Sequence, residues 1–221
     1  MKCRLGSPHQ KVLENNVLAI LDYGMANLRS VQKAFERNGH AAAIISTPAQ
    51  VRSASRLVVP GVGAFADAIR VIRETGLDEA IREHIAAGRP MLGICLGLQI
   101  LMDVGYEDGT HAGMKIIPGV CERFMVDAPP LNLKVPHMGW NEIAWKRDVP
   151  LFKGLEQGSS VYFVHSYHVR PADSSVIAAT TDYGGTFVAA IWKDNIMATQ
   201  FHPEKSQAVG GAILRNFVER T

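Results

Sequence analysis

Cys95 lies at the centre of a Gly-x-Cys-x-Gly motif at residues 93–97, a pattern that suits a reactive side chain. An apolar run leads into the motif, and Leu98 and Leu101 follow at helical spacing. This layout predicts a nucleophile elbow, in which a strand turns sharply into a helix and exposes one side chain. Side chains in place of the two glycines would collide with a neighbouring strand or helix. The helix N-terminus favours the thiolate of Cys95, and an unreactive buried cysteine is the alternative.

A cysteine nucleophile needs a base and usually a carboxylate that orients the base, and His202 and Glu204 are groups of these two kinds. Pro203 between them biases His202 toward extended dihedrals, and side chains two apart on an extended chain point the same way. A lone His-x-Glu is more often a surface turn. However, Cys95 and His202 both follow predicted strands, and the carboxyl ends of parallel strands meet at one edge of a sheet. We therefore expect these three side chains to meet.

Attack on an amide carbonyl creates an oxyanion, which backbone N–H groups usually stabilise. The sequence offers the N–H of Leu96, directly after Cys95, and a second N–H from the glycine-rich turn formed by Gly61, Val62 and Gly63. Glycine would allow the peptide between Gly61 and Val62 to rotate into or out of the site. An ordinary strand-to-helix loop is the alternative. The Gly-x-x-x-x-Gly-Lys pattern of a phosphate-binding loop is absent.

Four histidines raise the question of a metal site: His111, His137, His165 and His168. None has the spacing typical of zinc ligands with a second pair nearby. We expect these histidines to be structural or close to the substrate, and we expect neither a metal nor a cofactor.

The composition fits one globular domain, because 221 residues with 47% hydrophobic side chains can bury a sizeable core. A net charge of +2 gives no electrostatic reason to expect nucleic acid or a membrane surface as a partner. Three cysteines without Cys-x-x-Cys spacing favour a reducing cytoplasm over a disulfide scaffold. We find no apolar segment suited to a signal peptide or membrane span. Residues 1–16 are expected to be an N-terminal extension of a domain at 17–221.

Strands and helices alternate along the first half of the chain, whereas the second half is rich in glycine, proline and β-forming residues. Continuous apolar runs predict buried strands at 17–21, 41–45, 57–59 and 91–95. Further strands are predicted at 161–164, 176–180, 186–191 and 196–200, the last three as an antiparallel meander, and a last helix at 207–218. The predicted class is α/β, an open and mostly parallel sheet flanked by helices with an added antiparallel section.

Several motifs resemble those of the class I, or triad-type, glutamine amidotransferases. The matching stretches are residues 22–31, 60–65, 93–99, 136–141 and 202–206, and the resemblance extends from residue 17 to the end of the chain. Ala26 departs from the family pattern, where we expect glycine. The resemblance implies a flavodoxin-like sheet and a triad of Cys95, His202 and Glu204 that hydrolyses L-glutamine to glutamate and ammonia.

The resemblance also implies how the substrate is held. Gln99 and the backbone of His165, Ser166 and Tyr167 should bind the glutamine. The backbone N–H groups of Val62 and Leu96 remain the expected oxyanion donors.

Within the family, the stretches are most similar to glutaminase subunits of histidine biosynthesis, which pass ammonia to a (β/α)8-barrel cyclase subunit. That cyclase makes imidazole glycerol phosphate and the purine precursor AICAR. A cytoplasmic heterodimer is implied, with four residues near its interface: Asn27, Trp140, Tyr162 and Lys205. The alternatives are the glutaminase subunit of another triad amidotransferase such as anthranilate synthase, a non-catalytic docking subunit, and a cysteine peptidase.

Overall fold

The computed structural model describes residues 18–221 of the chain. The predicted N-terminal extension at 1–16 lies outside the described residues, so the domain boundary stays a prediction. The strands are β1 (Leu18–Leu21), β2 (Ala42–Ile45), β3 (Arg56–Gly61), β4 (Met91–Cys95), β5 (Val104–Gly105), β6 (His111–Ala112), β7 (Gly119–Arg123), β8 (His137–Glu142), β9 (Ser160–His165), β10 (Tyr167–Pro171), β11 (Ile177–Asp182), β12 (Thr186–Lys193) and β13 (Ile196–Thr199). The α-helices are α1 (Leu28–Arg37), α2 (Pro48–Ser53), α3 (Phe65–Glu74), α4 (Leu77–Ala86), α5 (Leu96–Gln99) and α6 (Gln207–Glu219).

A seven-stranded sheet forms the centre, in the order β11-β12-β13-β4-β3-β1-β2. The strands from β13 to β2 pair in parallel, and β11, β12 and β13 pair antiparallel. This arrangement confirms the predicted α/β class, with the antiparallel section at one edge of the sheet. One cluster of buried side chains joins Val59 to α3 and α4, and another joins Val58 to α1 and α6. Both faces of the parallel strands are therefore covered, which is why their sequences are continuous apolar runs.

Two smaller sheets occupy the second half of the chain. One has the order β10-β7-β5-β6, and the other is the pair β8-β9. Within residues 18–221, no helix is long and apolar enough to cross a membrane.

The helix after Cys95 is shorter than predicted. Its residues after Gln99 do not continue the helix, because the carbonyl of Ile100 accepts from the N–H of Met114 and that of Leu101 accepts from Ile117. Leu101 is fully buried, as the helical spacing indicated, but it is buried in a turn.

Helix α2 was not indicated by hydrophobic periodicity. It begins with a capping box, in which the Thr47 hydroxyl accepts from the Gln50 N–H and the Gln50 side chain accepts from the Thr47 N–H, and Pro48 occupies the first turn.

The turn at Cys95 has the tight geometry predicted for a nucleophile elbow. Cys95 adopts φ 54° and ψ −107°, a conformation that side-chain-bearing residues rarely adopt. A Cβ at Gly97 would overlap the carbonyl oxygen of Val59, and a Cβ at Gly93 would lie 2.7 Å from the carbonyl oxygen of Gly97. Both glycines are therefore required by the close approach of two backbones, as predicted.

We expect Gly97→Ala to lower the free energy of unfolding by about 3 kcal/mol, because the new methyl group meets the Val59 backbone. Gly39→Ala is the matched control. Gly39 also has a positive φ, 84°, but no atom lies within 4 Å of its Cβ position, so only about 1 kcal/mol of backbone strain is expected. Urea denaturation measures both losses, and equal losses would contradict the steric explanation.

Candidate functional site

The parallel sheet brings the predicted catalytic residues to one edge. Strand β4, which ends at Cys95, lies between β13 and β3. Gly61 at the end of β3 is paired directly with Cys95, and His202 follows the end of β13. The pairing of these strands therefore places the ends of β3, β4 and β13 side by side, as expected.

The His202 ring and the Glu204 carboxylate are in direct contact. Nδ1 of His202 lies 2.8 Å from Oε1 of Glu204, and each side chain is 3% exposed. Contact was predicted, but the predicted route was wrong. Residues Pro203–Lys205 form a 3₁₀ turn, so Glu204 reaches the ring by curling back and not along an extended chain. Only His202 itself is extended, as the following proline favours.

The electrostatic surroundings hold His202 in its protonated form. Burial lowers the pKa of His202, but interactions with Cys95 and Glu204 outweigh burial and raise it to about 9. Cys95 raises this pKa through both a hydrogen-bonding and a charge interaction, although Nε2 of His202 is buried and has no partner of normal hydrogen-bond geometry among residues 18–221. With Nδ1 held by Glu204, Nε2 is the nitrogen that can exchange a proton with a reacting group.

A cavity of about 260 Å³ opens beside the Cys95 thiol. This volume is below the roughly 300–1,000 Å³ of drug-sized ligand pockets and suits a substrate as small as one amino acid. Its lining includes these predicted site residues: Val62, Gly63, Cys95, Leu96, Gln99, His165, Ser166 and Tyr167. The structure thus brings together the substrate-binding residues that the resemblance implied, with Gly61 as the exception.

Gly61 lies beneath the cavity and does not line it. A Cβ there would overlap the Tyr23 hydroxyl and lie 2.9 Å from the Leu96 Cβ. Glycine at this position lets the phenol of Tyr23 lie against the end of β3. The hydroxyl of Tyr23 is buried without a hydrogen-bond partner among residues 18–221.

The two predicted oxyanion donors are in different states. Leu96 is the first residue of α5, so its N–H has no partner within the helix. The Val62 N–H donates to the carbonyl oxygen of Met25 over 2.7 Å and is not free to bind an oxyanion. Ala26, next to Met25, is not among the described residues with positive φ, so the loop does not need the glycine expected there.

Glu107 lines the same cavity and was missed by the sequence analysis. Its Oε2 accepts a hydrogen bond of 2.6 Å from the N–H of Phe65, at the start of α3. A carboxylate in the cavity that holds the thiol can bind the amino group of an amino-acid substrate. Nothing in the turn around Glu107 marks it in the sequence, because only the packing of that turn onto α3 brings it to the cavity.

The histidines of the second half form an aromatic cluster. His137 and His165 face each other across β8 and β9, with Nδ1 of His137 3.3 Å from Nε2 of His165. His168 stacks on Phe124 with ring centroids 4.7 Å apart. Burial lowers the pKa of His165 to about 3 and that of His137 to about 4, so both rings are neutral at pH 7.

The fourth histidine, His111, lies apart from this cluster on β6. Among residues 18–221, no three or more side chains of the metal-binding types are grouped as a metal ion would need.

Three of the four predicted interface residues lie together. The Trp140 and Tyr162 rings are 6.1 Å apart between centroids, and Nζ of Lys205 lies 5.8 Å from the Tyr162 ring. Trp140 is 48% exposed, which is high for so large an apolar side chain. Asn27 is exposed directly before α1 and makes no contact with these three that the structure records.

Comparison with known proteins gives consistent matches. The model of the family "Glutamine amidotransferase class-I" matches residues 19–221. The imidazole glycerol phosphate synthase subunit HisH of Syntrophotalea carbinolica is 57% identical over 203 residues, covering 91% of this chain and 98% of that protein. The HisH subunit of Aquifex aeolicus is 49% identical over 199 residues, covering 90% of this chain and 94% of that protein.

Solved structures share the fold at low sequence identity. The structure of PurLQS from Thermotoga maritima matches with a TM-score of 0.69 and 15% identity, covering 92% of this chain and 95% of that chain. The crystal structure of a glutamine amidotransferase matches with a TM-score of 0.70 and 18% identity, covering 91% of this chain and 97% of that chain.

An NMR titration should find His202 protonated up to about pH 9. Because its pKa is raised above the ordinary 6.5, protonated His202 stabilises the fold below pH 6.5, and this contribution is lost as the pH rises through about 9. Glu204→Gln should lower the midpoint, since one of the raising interactions is removed. His165 and His137 are internal controls that should stay neutral above about pH 5. A wild-type His202 midpoint at or below 6.5 would contradict this electrostatic account.

Proposed function

The chain belongs to the class I glutamine amidotransferase family, and from that premise we propose that it is the glutaminase subunit of imidazole glycerol phosphate synthase. It hydrolyses L-glutamine to glutamate and ammonia in the cytoplasm. The ammonia passes to the cyclase subunit of the same heterodimer, which makes imidazole glycerol phosphate and AICAR in histidine biosynthesis. The observation that carries the proposal is 57% identity to a HisH subunit over 98% of that protein's length.

The geometry supports a two-step hydrolysis by Cys95, His202 and Glu204. The Cys95 sulfur attacks the side-chain carbonyl of glutamine and forms an S–C bond, and His202 gives a proton to the departing nitrogen as the C–N bond breaks. Ammonia leaves, and water then attacks the thioester with His202 as base, so the S–C bond breaks and glutamate forms. The contact with Glu204 holds the ring so that Nε2 faces the reaction.

The cavity supports recognition of a free amino acid. The Glu107 carboxylate attracts the amino group, and Gln99 and the backbone from His165 to Tyr167 offer hydrogen bonds to the remaining polar atoms. Hydrolysis of a peptide would need room for several residues, whereas the volume of this cavity is only about 260 Å³.

The oxyanion turn supports regulation by the partner. A free subunit that hydrolysed glutamine continuously would waste it, and the Val62 N–H is held by the Met25 carbonyl away from the oxyanion. Rotation of the peptide between Gly61 and Val62 would turn this N–H toward the thiol. Binding of the liganded cyclase can favour the rotated state only by binding it more tightly than the resting state.

Cys95→Ala should abolish glutamine-dependent synthesis of imidazole glycerol phosphate, because the nucleophile is removed. Synthesis from added ammonium salts should continue, since the cyclase makes the product. Both rates are measured on the purified complex with the cyclase substrate nucleotide present. The proposal would be contradicted if this variant kept normal glutamine-dependent turnover. It would also be contradicted if the wild-type subunit failed to supply ammonia to the cyclase.

Val62→Pro should lower the cyclase-activated glutaminase rate by about a hundred- to a thousand-fold, the usual cost of one lost oxyanion donor. Proline has no N–H, so the rotated state of the variant offers no second donor. Val62→Ala keeps the N–H and is the control, with co-elution of the cyclase checked for both. Activation of Val62→Pro equal to that of the control would remove Val62 from the oxyanion site. Gly61 is unsuitable for this test, since Tyr23 and Leu96 leave no room for a side chain there.

A further inference from the structure

Gln200 makes a direct hydrogen bond to the nucleophile. Its side-chain Nε2 donates to the Sγ of Cys95 over 3.6 Å, a normal length for the larger sulfur acceptor, and the residue is fully buried. The backbone N–H of Gln200 donates to the carbonyl of Ala189 over 2.8 Å, which fixes where its side chain starts. Neither the sequence motifs nor the mechanism above uses this residue.

The polarity of this contact follows from a chain of amides. The backbone carbonyl of Tyr167 can only accept, so the group of Gln99 that lies 3.1 Å from it is the donor Nε2. The same Nε2 donates to Oε1 of Gln200 over 3.3 Å. The other end of the Gln200 amide, which faces Cys95, must then be the NH₂ group.

The Tyr167 carbonyl is itself fixed from a second side. Nδ1 of His165 lies 2.8 Å from it, and His165 is neutral, so that Nδ1 carries the proton and Nε2 accepts from His137. Two donors therefore hold the acceptor on which the orientation of Gln99 and Gln200 depends.

We propose that Gln200 stabilises the Cys95 thiolate by a hydrogen bond, and that Gln99 holds Gln200 in the donating orientation. No proton is transferred through the amides, because the proton that the thiol has lost is held by His202, and Gln200 only solvates the thiolate. A hydrogen bond to an ionised acceptor is about twice as strong as a neutral one, so the contact strengthens as the thiolate forms. The proposal rests on the proposed function only in taking Cys95 as the nucleophile.

The charged and titratable groups that face Cys95 do not replace this donor. His202, which follows β13, attracts the thiolate, and Glu107 lines the same cavity. Tyr23 and Cys121 also interact electrostatically with Cys95, and burial raises the pKa of both, so they stay neutral. Among residues 18–221, the hydrogen bond that the structure gives to Cys95 Sγ comes from Gln200.

The test is the pH dependence of Cys95 alkylation by iodoacetamide, followed by peptide mass spectrometry so that Cys3 and Cys121 are scored separately. Gln200→Met keeps a similar volume and removes the donor. We expect its midpoint to rise by about one pH unit, which is a tenfold lower alkylation rate at pH values below the midpoint. Gln200→Glu still accepts from Gln99 but turns a carboxylate toward the sulfur, so a larger rise is expected.

Thr199→Val is the matched control. Thr199 is also fully buried, directly precedes Gln200, and donates to the carbonyl of Phe201, away from the sulfur. Loss of the Thr199 hydroxyl should change the stability of the fold without moving the pH midpoint of Cys95 alkylation. An unchanged midpoint in folded Gln200→Met and Gln200→Glu would overturn the proposal.

A measurement on the unaltered protein covers the case in which both variants misfold. The side-chain NH₂ signals of Gln200 should shift with the same pH midpoint as Cys95 alkylation, and signals that do not shift would overturn the proposal. Alkylation needs neither glutamine nor the cyclase. If the variants leave the alkylation midpoint unchanged while glutamine-dependent synthesis is normal, only the role of Gln200 is refuted. If Cys95 of the wild type does not react with iodoacetamide at all, the proposed function is refuted.

Discussion

The site depends on how closely the backbone after Cys95 approaches the backbone of β3. At Gly97 the two chains are so near that the carbonyl of Val59 occupies the place of a side chain. At Gly61 the missing side chain admits Tyr23 and Leu96. This contact aims the thiol over the end of the sheet, and the parallel pairing of β4 with its two neighbours then places the oxyanion turn on one side and His202 on the other.

Burial alone would make every histidine near the site neutral, and specific partners decide which one is charged. His165 and His137 are buried among aromatic rings, and burial lowers the pKa of each; for His165 the nearby His202 lowers it further. His202 is buried as well, yet Glu204 and Cys95 raise its pKa. The neutral His165 therefore donates a hydrogen bond to a backbone carbonyl, and the charged His202 carries a proton that, in the proposed mechanism, goes to the leaving group. Burial acts on both histidines, and the difference in their protonation comes from the charge of their partners.

Local patterns predicted most of the sheet, the turn at Cys95 and the contact of His202 with Glu204, because apolar runs and glycine spacing report local backbone geometry. The parallel strands, the elbow at Cys95 and the contact of His202 with Glu204 all follow from short segments. Features that depend on distant packing were missed or misjudged. Helix α5 ends early because the backbone N–H groups of residues 114–117 bind the carbonyls of residues 100–102, and Glu107 reaches the cavity only through the packing of its turn onto α3. Gln200 stands two residues from His202 in a conspicuous motif, but its orientation depends on Gln99, about a hundred positions earlier.

The backbone conformation at Cys95 costs the fold stability. At φ 54° and ψ −107° this residue is strained, and the strain is met by the surrounding fold. Glycine would occupy the same turn with little strain, so loss of the thiol and gain of stability lie in the same direction.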